Sequence, residues 1–254
     1  MERHKRISTA EYNFNVTHKT TIDRYGKPFQ HFIYLGGNKK GCVHIIVDEP
    51  HSDERLRQMF PPNVANLLRH SHLLHDPQCS LDKTLVRGDG TRYMLKAALS
   101  WVKLHFDYVE KYELMDASRF ECDGISVSLP HYSVALYGET WYERHFKAQL
   151  RDQTDRVQYD EGVKRFKGEK PPFEIAFRNI DADLATIRPI YEDKENTTLI
   201  AVFAALKSKY PKTWCNLTYE WVNMCIRRVE INGDVCKQYF KRQLHKSHMG
   251  HIGC

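Results

Sequence analysis

The chain lacks the features that announce several common classes of protein. No apolar run approaches the length of a membrane helix, and Met1-Glu2-Arg3-His4-Lys5-Arg6 has no apolar signal core, so a cytoplasmic, membrane-free location is expected. There is no Gly-x-x-x-x-Gly-Lys-Ser/Thr loop, no Gly-x-Ser-x-Gly elbow and no His-Glu-x-x-His pair. These absences argue against a P-loop nucleotide hydrolase, a serine hydrolase of the common α/β type and a metalloprotease. Cysteine is sparse and unpatterned: the seven residues Cys42, Cys79, Cys122, Cys215, Cys225, Cys236 and Cys254 are odd in number and form no C-x-x-C pair. Reduced, buried thiols are therefore expected rather than a disulfide framework.

What is present describes a globular chain. Its 254 residues suffice for one large core or two modest ones, and 41% hydrophobic with 28% charged residues is ordinary for such a protein. The formal charge of +6 favours anionic partners such as nucleic acid, cofactor phosphates or acidic protein surfaces, without choosing among them.

Alternation of apolar and polar residues predicts strands over 11–17, 29–35 and 42–47, joined by Gly-containing turns into an antiparallel meander behind a frayed basic leader, 1–9. Ser52 or Asp53 caps a short helix ending at Met59, and Val64, Leu67 and Leu68 suggest another over 63–74. His70, His72, His75 and Cys79 crowd into ten residues, and His245, His248, His251 and Cys254 recur every third residue near two glycines. Neither set has the separated ligand pairs of a closed zinc site, so no metal is expected. The stretch 147–172 is highly charged and reads as a solvated connection, with Phe166 and Tyr159 among its lysines as candidate base-stacking residues. Phe173 to Phe177 alternates as a strand, and 197–210 and 213–229 carry amphipathic helices whose apolar faces suggest a hairpin.

The stretch that organises the rest is 85–146. A short apolar run ends at Arg87, Gly88-Asp89-Gly90-Thr91 turns, and Tyr93, Leu95, Ala98, Leu99, Val102 and Phe106 follow at helical spacing. Backbone amides converging on a helix N-terminus suit a phosphate, although a plain tight turn has the same sequence pattern. A strand at 112–116, a second at 125–129 and a helix through Tyr137 lead into Gly138-Glu139-Thr140-Trp141-Tyr142-Glu143-Arg144-His145-Phe146.

This order resembles the GNAT superfamily of acyl-CoA N-acyltransferases, over roughly the middle third of the chain. In that family a Gln/Arg-x-x-Gly-x-Gly/Ala turn cradles the coenzyme A pyrophosphate, and a later helix ends in a pattern like Tyr-Glu-Lys-x-Gly-Phe. With Gly88 and Gly90 as the paired glycines the leading position falls on Leu85; with Arg87 leading, the last small position falls on Arg92. Tyr142-Glu143-Arg144-His145-Phe146 is similar to the tail motif, with His145 where the family has glycine. The run Tyr137-Gly138-Glu139-Thr140-Trp141-Tyr142-Glu143 is also similar to one in GNAT-like proteins of large DNA viruses, which would place the protein in the host cytoplasm or the virion.

The resemblance implies an α+β fold: a GNAT-like central mixed sheet flanked by helices over 1–180, and a helical, basic, His-rich extension over 181–254. It implies acetyl-CoA on Arg87, Gly88, Asp89, Gly90, Thr91 and Arg92, and an unidentified acceptor amine. Tyr142 or Tyr137 would protonate the leaving thiolate unless both are core aromatics, and Asp116, Glu113 or Asp82 would be the base. A second expectation, from another class, is a GNAT-like domain without activity that contacts nucleic acid or protein through Lys164, Arg165, Lys167, Arg227 and Arg228.

Overall fold

Six strands stand side by side in sequence order: β1 (Glu2–Ser8), β2 (Asn13–Ile22), β3 (Pro28–Gly36), β4 (Val43–Asp48), β5 (Val64–Leu67) and β6 (Lys111–Met115). A computed structural model describes residues 2–38, 41–67, 76–116, 118–150, 153–178, 180, 182–228 and 237–241. The chain divides into two compact units, 1–115 with 239–254 and 116–238, so contact density cuts it after 115, ahead of the 180 read from the sequence. The result is a mixed α+β protein.

In the first unit, β1 to β5 pair antiparallel, and β5 with β6 forms the parallel pair. Parallel neighbours need a crossover, which α2 (Asp89–His105) supplies. Before it, α1 (Glu54–Met59) starts on the Asp53 side chain, which accepts from Arg55 N–H at 2.8 Å. Register places Val16, His18, His31, Ile33, Leu35, Val43, Ile45 and Val47 on one face of the sheet. α2 packs against β3 and β4 there, burying Met94, Leu95, Ala98, Leu99 and Val102, and Tyr112 donates its hydroxyl to Leu99 O at 3.1 Å.

The second unit is helical around a two-stranded hairpin, β7 (Arg119–Cys122) and β8 (Ile125–Ser128), whose Asp123-Gly124 turn has positive φ at both residues. Two-residue hairpin turns of this kind match the twist of the flanking strands. Helices α3 (Leu129–Tyr137), α4 (Trp141–Phe146), α5 (Gln153–Lys167), α6 (Phe173–Ala176), α7 (Leu184–Tyr191), α8 (Leu199–Lys209) and α9 (Trp214–Arg228) follow. Gly138 ends α3 in the left-handed region, and Thr140 with Glu143 forms a capping box on α4. Their apolar faces meet around Trp221, which is fully buried with Phe177 and Phe203 each 4.4 Å from its ring.

Several expectations are corrected. The basic leader is an edge strand, in which Ile7 alone is buried and the charged remainder faces solvent. The helix expected over 63–74 is strand β5 where it is described, and His70, His72 and His75 lie outside the described residues, as do the tail histidines. The charged connection is helix α5, with Tyr159 and Phe166 buried on its inner face. Phe173 to Phe177 is helical because Pro172 starts a turn that buries Phe173, Ala176 and Phe177 and exposes Ile175. The apolar run that leads to Arg87 is irregular over 84–86. The cysteines are not all thiols, since Cys42 pairs with Cys79 and Cys122 with Cys215, with Cα atoms 6.0 and 6.3 Å apart.

Candidate functional site

The glycine turn sits at the start of the crossover helix. Gly88 is the N-cap of α2 with φ of 83°, a conformation that excludes a Cβ at little gain, and no side chain caps the helix. Of the first-turn amides, Gly90 N–H donates to Val86 O at 2.8 Å and Arg92 N–H to Gly88 O at 3.0 Å. Among the described residues, the amides of Asp89 and Thr91 donate to no carbonyl outside the helix, which leaves two donors at its positive end. A Cβ on Gly88 would meet nothing within 4 Å. The other glycine differs: a Cβ on Gly90 would lie 2.8 Å from Leu85 and 3.3 Å from the Tyr12 hydroxyl. Gly90 is small so that α2 can pack on Leu85 and Tyr12, and room for a ligand exists at Gly88.

Cations surround this turn. Arg87 is exposed; Arg92 pairs with Asp89 at 3.1 Å and lies one turn from Lys96. Burial first, then the Arg92 charge, holds Lys96 below the usual lysine range. The approach to the turn is fastened at several points. Cys79 is tied to Cys42, Asn38 N–H donates to Gln78 O at 3.1 Å, Leu81 N–H to Asn13 O at 2.9 Å, and Leu85 N–H to Pro77 O at 3.0 Å. A Cβ on Gly37 would collide with the carbonyl oxygens of Ser80 and Gln78, so only glycine permits this approach. Asp82, an expected base, is a brace of the same segment: it accepts from Asn13 N–H at 3.1 Å, Asn13 Nδ2 at 2.9 Å and Ser80 Oγ at 2.8 Å, and these bonds lower its pKa.

Asp116, Tyr142 and Tyr137, three of the expected catalytic residues, belong to the second unit. Asp116 is 2% exposed; its Oδ1 accepts from Ser118 N–H at 3.1 Å and from Ser118 Oγ, and its Oδ2 has no hydrogen bond among the described residues. Burial raises its pKa against the pull of the Ser118 bonds. Tyr142 is also buried, and burial first, then the Asp116 charge, raises its pKa, so the pair sits close enough to interact. Tyr137 is not part of it: 44% exposed, it lies under the Arg144 guanidinium, 3.9 Å from the ring centre.

Of the expected basic contacts, Lys164, Arg165 and Lys167 are exposed in the last turn of α5, where the helix dipole favours cations. Arg227 and Arg228 end α9, and their side chains lie outside the described residues. Tyr159 and Phe166 are unsuited to stacking on bases: the Tyr159 hydroxyl donates to Glu143 Oε2 at 2.6 Å inside the core, and Phe166 is 1% exposed. No group of three or more metal-ligating side chains is assembled among the described residues. Among the described residues, no helix is long and apolar enough to cross a membrane. No family model, curated protein or solved structure matches the chain.

Proposed function

We propose that the first unit is an acyl-CoA-dependent N-acyltransferase domain that moves an acyl group to an amine. The observation that carries this reading is the crossover β5–α2–β6 at the end of an antiparallel meander. In such a unit the helix begins at the carboxyl ends of the parallel strands, where open α/β sheets take their ligands. The amides of Asp89 and Thr91, the open side of Gly88 and the charges of Arg87, Arg92 and Lys96 suit a pyrophosphate there. The Gly90 side is filled by protein, so the fit rests on Gly88. Bound acetyl-CoA would supply the thioester, and the chain would orient it and take the amine proton.

Calorimetric titration with acetyl-CoA at low salt tests the reading. Micromolar binding weakened at least tenfold by Arg87→Glu with Arg92→Glu is expected; no binding at millimolar ligand rejects it. The filled space at Gly90 and the exposed cations on β1 and α5 favour a second reading, a non-catalytic module that contacts nucleic acid or an acidic protein. Salt-sensitive retention of nucleic acid without any response to acetyl-CoA would support that alternative.

A further inference from the structure

One face of the first unit's sheet carries a line of titratable side chains where its neighbours are aliphatic. Glu49, just past β4, lies with Oε1 2.6 Å from His31 Nε2. His31 Nδ1 lies 2.9 Å from His18 Nε2, and Thr20 Oγ1 is 3.2 Å from the former and 3.4 Å from the latter. With a neutral His31 the order of donors follows from the carboxylate, which accepts: His31 carries its proton on Nε2, its Nδ1 accepts from His18 Nε2–H, and His18 Nδ1 is left with a lone pair. That nitrogen makes no hydrogen bond among the described residues. Aromatic rings wall the line, with Trp101 5.2 Å from His18 and Phe106 5.8 and 4.8 Å from His18 and His31.

We propose that His18, His31 and Glu49 form a proton relay, with His18 Nδ1 the catalytic base that takes the proton of the acceptor amine. The proton enters at His18 Nδ1, the Nε2 proton of His18 passes to His31 Nδ1, and the charge comes to rest as a His31 imidazolium donating to Glu49 and back to His18. Every proton is accounted for, and no second reactant is required. The surrounding charges favour inward transfer. Burial, His31, Arg3 from β1 and His105 from α2 push His18 down to about 4, so it does not keep a proton. The far end is acidic: burial, Glu49, Asp48 and Asp107 together hold the Tyr108 hydroxyl protonated. Positive charge at the entry selects an amine that arrives neutral, the nucleophilic form.

The assignment of an amine rests on the acyltransferase reading; the relay does not. Trp101 lies about 18 Å along α2 from Asp89 at ~1.5 Å per residue, which sets the relay apart from the glycine turn.

The test has two arms on the full chain. Imidazole nitrogen NMR across pH should show one tautomer, Nε2–H, on both rings at neutral pH, with His18 neutral down to pH 5; Glu49→Gln should yield mixed tautomers. Independent titration of both rings near the free-histidine value, unchanged by Glu49→Gln, overturns the relay. In amine acylation from acetyl-CoA, His18→Gln should lower kcat about 100-fold with KM for acetyl-CoA unchanged. Unchanged turnover removes His18 as the base. If acetyl-CoA does not bind, the acyltransferase reading and its amine fall, and the NMR arm alone decides the relay.

Discussion

The two units bury polar groups in different ways. In the second unit four buried hydroxyls are spent on the backbone: Tyr132 donates to Cys215 O at 2.6 Å, Ser133 to Glu139 O at 2.9 Å, Thr218 to Trp214 O at 2.8 Å, and Tyr191 to Pro171 O. Such bonds fasten helices together and have no proton to exchange near neutral pH. The first unit instead buries His31 and Asp48 and half-buries His18, His44 and Glu49, groups whose charge depends on their neighbours. Titratable groups gathered on a sheet, with His18 and His44 lowered chiefly by burial, are where chemistry is expected, and a saturated aromatic core is where it is not. Asp116 with Tyr142 is the exception in the second unit, a buried carboxyl with a spare oxygen.

This contrast can be broken in order of expected effect. Cys122–Cys215 closes a span of 93 residues and Cys42–Cys79 one of 37. Chain-entropy arguments assign roughly 4–5 kcal/mol to the first and roughly 3–4 kcal/mol to the second. Urea denaturation of Cys215→Ala and Cys79→Ala should reproduce that order, and equal midpoints for wild type and both variants would show that neither bond forms. Trp221→Ala removes the centre of the second core and should cost about 3–5 kcal/mol, read as loss of protection in 129–222 with the sheet of the first unit retained. Gly90→Ala brings a methyl against Leu85 and should cost roughly 1–2 kcal/mol; a gain in stability would mean that the turn has slack.

The smallest effect is in pH, and its sign separates the units. His18 and His44 are lowered from 6.5 to about 4, both chiefly by burial, so between those values the unfolded chain binds protons that the folded chain refuses. The first unit therefore loses stability as pH falls from 6.5 towards 4. Asp116 is raised above 3.8, so its contribution is complete in acid and declines as pH rises past its folded value. Segment-resolved hydrogen exchange at pH 7 and pH 5 should show the first unit weakening first; earlier opening of 116–228 in acid would contradict the assignment.

Much of the fold was legible because local signals agreed. Asp53 caps α1 as its side chain suggests, and the alternation in β3 matches its pairing with β4. Errors arose where one period mimics another. Val64 and Leu67 fit a helix face, yet β5 is a short central strand with Val64, Ala65 and Leu67 buried, so its apolar run does not alternate. Phe173, Ile175 and Phe177 fit a strand, and only the two prolines before them signal a helix. In α5 the buried Tyr159 and Phe166 stand at helical spacing but were masked by charge.

The glycine turn was visible as a motif, but the partners that fill its Gly90 side, Tyr12 and Leu85, come together only through packing. The disulfides could not be paired from spacing alone, since a folded chain chooses its partners in space. His18, His31 and Glu49 gave no signal: they are far apart in sequence, on three segments whose register alone aligns them. Strand pairing that puts His31 beside Thr20 and Val47 is the step that sequence pattern does not supply.

The most direct test of the central claim, that the first unit holds the chemistry, is peptide-resolved hydrogen exchange with and without saturating acetyl-CoA. The account predicts protection at 85–95, around the first turn of α2, with 129–222 unchanged. Protection confined to the second unit, or none anywhere, would contradict it.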